Sequence, residues 1–339
     1  MDAPVDPVLR DTRLMHRLVS CSIAVIAACA ALMWSPVAAA DPESGIIDVR
    51  PLGGRQLEVV VYSAAMDRPI TLWMSHPGAG APALYLLNGV DGGENGGPWP
   101  HRTDVAEFFA DQPVNVIVPM SGRASYYTDW IADDPVLGRN KWTTFLTREL
   151  PPLLDARFGM TGRNGVAGLS MSATSALNLA IAAPDLYQAV GAYSGCARTS
   201  DSVGRLLVRS ELAVFGGNAA NMWGAPDNPA WTDNDPVLHA EQLRGKALYV
   251  SAGNGLPGPH DTFGAQGIGG NPGALLDRVL VGGVMETVVG SCTRPLTDRL
   301  AALGIPATVD MRPAGTHAWP YWQDDLHRSW SIFAPALGV

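Results

Sequence analysis

Gly165-Val166-Ala167-Gly168-Leu169-Ser170-Met171-Ser172 is the stretch on which the fold of this chain turns. A short apolar run ends in Gly-Leu-Ser-Met-Ser, and an alanine-rich helical pattern over residues 170–182 follows without a linker. Strand, tight turn and helix in that order raise a serine hydroxyl above a sheet, with the free amides of a helix N-terminus beside it. The last glycine usual in such a turn is replaced by Ser172, which is small enough for helix and strand to approach closely. The competing reading is a serine that merely caps an ordinary helix.

Outward from this turn, short β-rich runs alternate with helical patterns. Residues 57–63 and 70–74 form an early pair of strands around the turn Asp67-Arg68-Pro69. Further strands are expected at 83–87, 114–118, 165–167, 189–193, 248–251 and 308–311. Most are apolar on both faces, as parallel strands covered on both sides must be. Helical patterns fall at 104–110, 141–158, 170–182, 237–243, 274–303 and 321–333. Such alternation predicts an α/β fold, a mostly parallel central sheet with helices on both faces. Gly- and Pro-rich loops at 88–100, 216–235 and 253–273 follow strands, where an open parallel sheet places its ligand.

Composition sets the outer limits. The 339 residues include 37 Gly and 27 Pro, with only 16% charged residues, which excludes a coiled coil and favours many short elements. A net charge of −9, with Lys141 and Lys246 the only lysines, excludes a protein that tracks nucleic-acid phosphates. Residues 18–40 are uncharged, follow Arg10, Arg13 and Arg17, and end in Ala38-Ala39-Ala40. That is the pattern of a cleaved secretory signal, so residues 1–40 are read as an export signal and 41–339 as a single catalytic domain. The alternative is an uncleaved membrane anchor. Export leaves Cys196 and Cys292, which either pair in a bridge or remain buried thiols, and an oxidising compartment favours the bridge. No CxxC or HExxH motif is present, so no metal or other cofactor is implied.

A serine nucleophile needs a base. In the α/β-hydrolase order the His follows the last strand, and Gly315-Thr316-His317 lies there, whereas His327 falls inside the final helical pattern. The acid must lie between Ser170 and His317. Asp261, in the loop after 248–251, and Glu286, on the long helical pattern, both qualify on sequence grounds. The oxyanion requires two backbone amides, one from Met171 and one from the loop Asn88-Gly89-Val90-Asp91-Gly92-Gly93, where Val90 is the candidate. That loop lacks the Lys and the glycine spacing of a phosphate cradle.

Several segments resemble the secreted mycolyltransferases of the antigen 85 type, and more closely their relatives in other mycolic-acid-producing bacteria. They are Leu84-Tyr85-Leu86-Leu87-Asn88-Gly89, Tyr127-Thr128-Asp129-Trp130, Lys141-Trp142 with Thr144-Phe145-Leu146-Thr147-Arg148-Glu149, the Ser170 turn, and Gly315-Thr316-His317-Ala318-Trp319. They span nearly all of residues 45–335 in the family's order. The resemblance implies transfer of mycolyl groups between trehalose monomycolate molecules or onto a cell-wall sugar acceptor, in the cell envelope. It implies that Glu286 is the acid, that Val90 and Met171 supply the oxyanion amides, and that Trp319 lines the sugar site. Asn88 and Asp91 stand where the family carries an Asp and an Arg beside the trehalose pocket, so they are the candidate substrate contacts there, Asn88 still able to donate and accept hydrogen bonds to hydroxyls. A secreted carboxylesterase using the same triad is the alternative activity.

Overall fold

Short runs with no polar face can only be strands enclosed on both sides, and five of them build the middle of the molecule. In the computed structural model, which describes Met1 and residues 43–94 and 97–339, β4 (Ala83–Leu87), β5 (Asn115–Pro119) and β6 (Asn164–Leu169) are buried at every position. β7 (Tyr187–Tyr193) and β8 (Ala247–Ala252) are nearly so. Apart from Met1, the expected export signal lies outside the described residues. β1 (Gly45–Gly53), β2 (Gln56–Ser63), β3 (Arg68–Ser75) and β9 (Thr308–Met311) complete a sheet of order β1-β2-β3-β5-β4-β6-β7-β8-β9. Every pair from β5 to β9 is parallel, while β1–β2, β2–β3 and β3–β5 are antiparallel.

Because successive strand side chains point to opposite faces, β4 feeds two cores. Tyr85 and Leu87 join the core that takes α1 (Leu150–Phe158), α2 (Met171–Ala182) and the C-terminal half of α4 (Gly283–Ala302). Leu84 and Leu86 join the other, where Trp322, Leu326, Trp330 and Phe333 of α5 (Trp319–Leu337) pack against Trp99 and Phe109. Helices therefore cover both faces of the sheet.

The structure corrects the sequence reading in four places. β1 was not anticipated, since it is largely exposed and shows no alternation of apolar and polar residues. A further helix, α3 (Ser202–Val214), buries Gly204, Val208 and Leu212 along one stripe and is capped by Asp201, whose carboxylate accepts Gly204 N–H at 2.8 Å. The expected loop 216–235 contains two short helices, Ala219–Trp223 and Ala230–Asp233. The helix expected at 237–243 is reduced to a 3-10 turn at Ala240–Leu243. Among the described residues no helix is long and apolar enough to cross a membrane.

Candidate active site

β6 ends at Leu169 and α2 begins at Met171, so Ser170 alone makes the turn, with φ 54° and ψ −125°. For a residue with a side chain this backbone costs about 1–3 kcal/mol and persists only where the surroundings enforce it. Ser170 N–H is held by Tyr193 C=O at 2.8 Å. A Cβ on Gly168 would lie 2.2 Å from the Ser172 carbonyl oxygen, so only glycine allows this approach. Ser172 does more than stay small. Its Oγ accepts Leu169 N–H at 3.0 Å and lies 3.0 Å from the carbonyls of Leu169 and of Leu87 on β4, tying the turn to the neighbouring strand. Ser170 makes no side-chain bond to the α2 amides, contrary to the cap reading. Its Oγ is instead 2.8 Å from His317 Nε2.

His317 Nδ1 is 2.8 Å from Glu286 Oε2. A ring whose Nδ1–H donates to the carboxylate leaves Nε2 free to accept the serine proton, so this pairing selects the useful tautomer. Glu286 is fully buried, and its other oxygen accepts Ser194 Oγ–H at 2.8 Å and Gly253 N–H. Burial alone would raise its pKa, but the hydrogen bond and charge of His317, with Gly253 and Ser194, outweigh burial and hold it below the usual carboxylate range. The imidazole packs edge-on to Trp322, ring centres 4.9 Å apart.

Asp261, the other carboxylate that the sequence allowed, does not touch the imidazole. It accepts Thr316 Oγ1–H at 2.7 Å, Tyr321 OH at 2.6 Å and Gly258 N–H at 2.8 Å. It therefore braces the loop that carries His317. The same loop is held by Gly315 N–H on Leu256 C=O at 2.7 Å and by His317 N–H on Gly282 C=O at 3.0 Å.

The amides of Val90 and Met171 find no acceptor among the described residues. A Cβ on Gly89 would lie 3.7 Å from Ser170 Cβ, so this loop runs directly beside the nucleophile position. Two orphan N–H groups next to a serine hydroxyl can receive a developing oxyanion. Asn88 requires a correction. It is fully buried, donates to Pro119 C=O at 2.7 Å and accepts Trp99 N–H at 3.2 Å, so its amide is engaged inside the fold and not offered to sugar hydroxyls. Asp91 is half-buried and accepts Gly93 N–H at 3.0 Å, closing the loop on itself. Trp319 is half-buried and stands edge-on to Trp99 and Trp322, at 5.5 and 5.3 Å.

Several participants carried no sequence signal. Ser194 sits at φ 52° just beyond β7. Arg312 and Asp325 form a buried ion pair behind Glu286. Tyr126 OH donates to Glu211 of α3, close to Met171. Cys196 and Cys292, for which the sequence favours a bridge, are by contrast joined in a disulfide with Cα atoms 4.8 Å apart. This link fastens the segment after β7, which holds Ser194, to α4, which holds Glu286. Thr293 Oγ1–H on Gly195 C=O at 2.6 Å reinforces it. Among the described residues no cluster of His, Cys, Asp and Glu could hold a metal ion.

Comparison with known proteins gives a consistent result. The family described as "Putative esterase" matches residues 63–330. The diacylglycerol acyltransferase/mycolyltransferase Ag85A of Mycobacterium tuberculosis is 34% identical over 289 residues, 82% of this chain and 80% of that protein. Ag85B of Mycobacterium leprae, of the same description, is 34% identical over 277 residues, 79% of this chain and 80% of that protein. Among solved structures, Mycobacterium tuberculosis MPT51 superposes with a TM-score of 0.66 at 24% identity, covering 80% of this chain and 94% of that one. An S-formylglutathione hydrolase from Agrobacterium tumefaciens gives 0.58 at 16% identity, covering 87% and 100%. These two likenesses speak for the α/β-hydrolase fold alone.

Proposed function

This chain belongs to the antigen 85-type esterase family, and on that premise we propose that it transfers long acyl groups of the mycolyl class between sugar esters through an acyl-enzyme on Ser170. The observation that carries the reading is the continuous chain Ser170–His317–Glu286, linked at 2.8 Å and 2.8 Å, in a sequence one third identical to mycolyltransferases.

In this mechanism His317 Nε2 takes the proton of Ser170 as Oγ attacks the ester carbonyl. Glu286 stays ionised and stabilises the imidazolium without receiving a proton. The amides of Val90 and Met171 hold the oxyanion, and losing one such donor costs about 3–4 kcal/mol of transition-state stabilisation. Collapse breaks the ester C–O bond, and the leaving sugar hydroxyl takes the proton back from His317. An acceptor hydroxyl then attacks the acyl-enzyme by the same steps in reverse. Trp319, half-buried beside His317, lines the sugar side of the cleft in this reading. The reaction as written needs no cofactor. We assign residues 41–339 to one catalytic domain acting at the cell envelope after export, with trehalose monomycolate as donor.

The test is product analysis with trehalose monomycolate, with and without added sugar or diacylglycerol acceptor. Transfer yields trehalose dimycolate and free trehalose, and products shift to the added acceptor. Free acid alone would make the protein a carboxylesterase with the same triad. Absence of both products, with no labelling of Ser170 by a serine-directed fluorophosphonate, would end both readings.

A further inference from the structure

Behind the proposed acid lies a set of buried charges that the reaction above leaves unused. Arg312, the residue after β9, is 9% exposed. Its Nη1 reaches both carboxylate oxygens of Asp325 on α5, at 2.6 and 2.7 Å. Its Nη2 lies 3.6 Å from Glu286 Oε1. Asp325 is fully buried and also accepts Tyr249 OH at 3.2 Å, and the guanidinium lies over the Tyr321 ring, 5.4 Å from its centre. His317, Glu286, Arg312 and Asp325 thus form a row in which charges alternate once His317 is protonated.

We propose that Arg312, held by Asp325, is a positioning residue that moderates the field of Glu286 at His317 and so governs how readily the imidazole accepts the Ser170 proton. The inference rests on reading Ser170, His317 and Glu286 as nucleophile, base and acid. A buried glutamate bonded to Nδ1 favours the imidazolium, and in a low-dielectric site that preference is strong. A protonated imidazole cannot act as a base, so this preference works against proton uptake from Ser170. A cation 3.6 Å from the far carboxylate oxygen opposes this without displacing the His317 hydrogen bond. Asp325 keeps the cation in place and stops its full charge from acting on Glu286. Burial lifts Asp325 to about 6, and the charge and hydrogen bonds of Arg312 oppose that rise.

The other charged groups nearby are engaged elsewhere. Asp310 pairs with Arg328 at 2.8 Å, and His260 with Asp324 at 2.9 Å. Asp261 is held by Thr316 and Tyr321, and Glu211 of α3, which feels the charge of His317, is held by Tyr126. Apart from His317, Arg312 is the only cation paired with Glu286 among the described residues.

The experiment is the pH profile of Ser170 labelling by a fluorophosphonate on the full chain, whose acid limb reports His317 in the free enzyme. Arg312→Gln should move that limb up by about one pH unit, the effect of one elementary charge removed from a largely buried site. Arg312→Lys should restore it, and Asp325→Asn should move it down by a smaller amount. A merely structural pair would lower the labelling rate at every pH without moving the limb. Limbs that stay in place, or that move in the same direction in Arg312→Gln and Asp325→Asn, overturn the inference. Should Arg312→Gln fail to fold, Asp325→Asn and Arg312→Lys decide it: a limb unmoved in Asp325→Asn rejects it. Absence of Ser170 labelling in the wild type would instead reject the nucleophile reading, and this inference with it.

Discussion

The turn at Ser170 and the loop at His317 meet through one hydrogen bond, yet they are built in opposite ways. Between Gly165 and Ser172 nearly everything needed is contiguous: a buried strand, a glycine that tolerates the Ser172 carbonyl, and a helix that starts at the next residue. His317 is held by four residues from two other stretches, the loop 253–273 and the helical segment that runs into α4. Gly282 binds its N–H and Glu286 its ring, Asp261 braces Thr316, and Leu256 receives Gly315. A contiguous device leaves a motif in the sequence. An assembled one leaves scattered residues of ordinary type, whose roles depend on distances that no spacing encodes.

The comparison can be broken most directly at its shared bond. Ser170→Ala should lower turnover by at least about 10³-fold and abolish the acyl-enzyme, as seen by mass spectrometry after brief exposure to an activated ester. Retained acylation at another residue would show that the turn is not where the chemistry occurs. On the loop side, the two carboxylates should behave differently. Glu286→Gln should cost about 10²–10⁴-fold in kcat, because the imidazole loses its orienting charge. Asp261→Asn should cost less than about tenfold in kcat while lowering the melting temperature. The reverse ranking would exchange their roles.

Ser172→Ala tests the turn itself. Losing the ties to Leu169 and Leu87 should destabilise the fold by about 1–2 kcal/mol in denaturant titration, with Ser170 still reactive. An unchanged midpoint would mean that Ser172 serves by size alone. The smallest effect is expected at Glu211. Burial lifts its carboxyl to about 6, against the Tyr126 hydrogen bond and the charge of His317. The folded state then binds this proton more tightly than the unfolded chain does. The stability it contributes is complete below the usual carboxylate range and is lost as pH rises through about 6. Glu211→Gln should therefore narrow the fall in melting temperature between pH 5 and pH 7 compared with wild type.

Much of the sheet was legible because its central strands are short, mostly apolar runs. β4 and β9 lie at the expected residues, and β2, β3 and β5 to β8 differ only at their ends. β1 escaped because a strand with most of one edge and both faces open to solvent needs no apolar pattern. α3 escaped although Asp201 and the spacing Gly204, Val208, Leu212 were readable, since a buried glycine lowers the apolar contrast of the stripe. Asn88 was misplaced for a related reason. A polar residue at the end of a strand looks available for a ligand, and only packing reveals that Pro119 and Trp99 already satisfy it.

The sequence by itself determined the α/β order, the strained turn at Ser170, the position of His317 after the last strand, and a family resemblance strong enough to favour Glu286 over Asp261. These are local patterns or linear order, and both survive in an unfolded chain. Tertiary structure alone decided which carboxylate meets Nδ1, that Asp261 braces the loop, that Asn88 is internal, and that Arg312 and Asp325 stand behind Glu286. Asn88 depends on Pro119 and Trp99, and the others on α4 and α5 meeting β8 and the loops beyond β8 and β9; hydrogen bonds across such distances are set by the whole sheet.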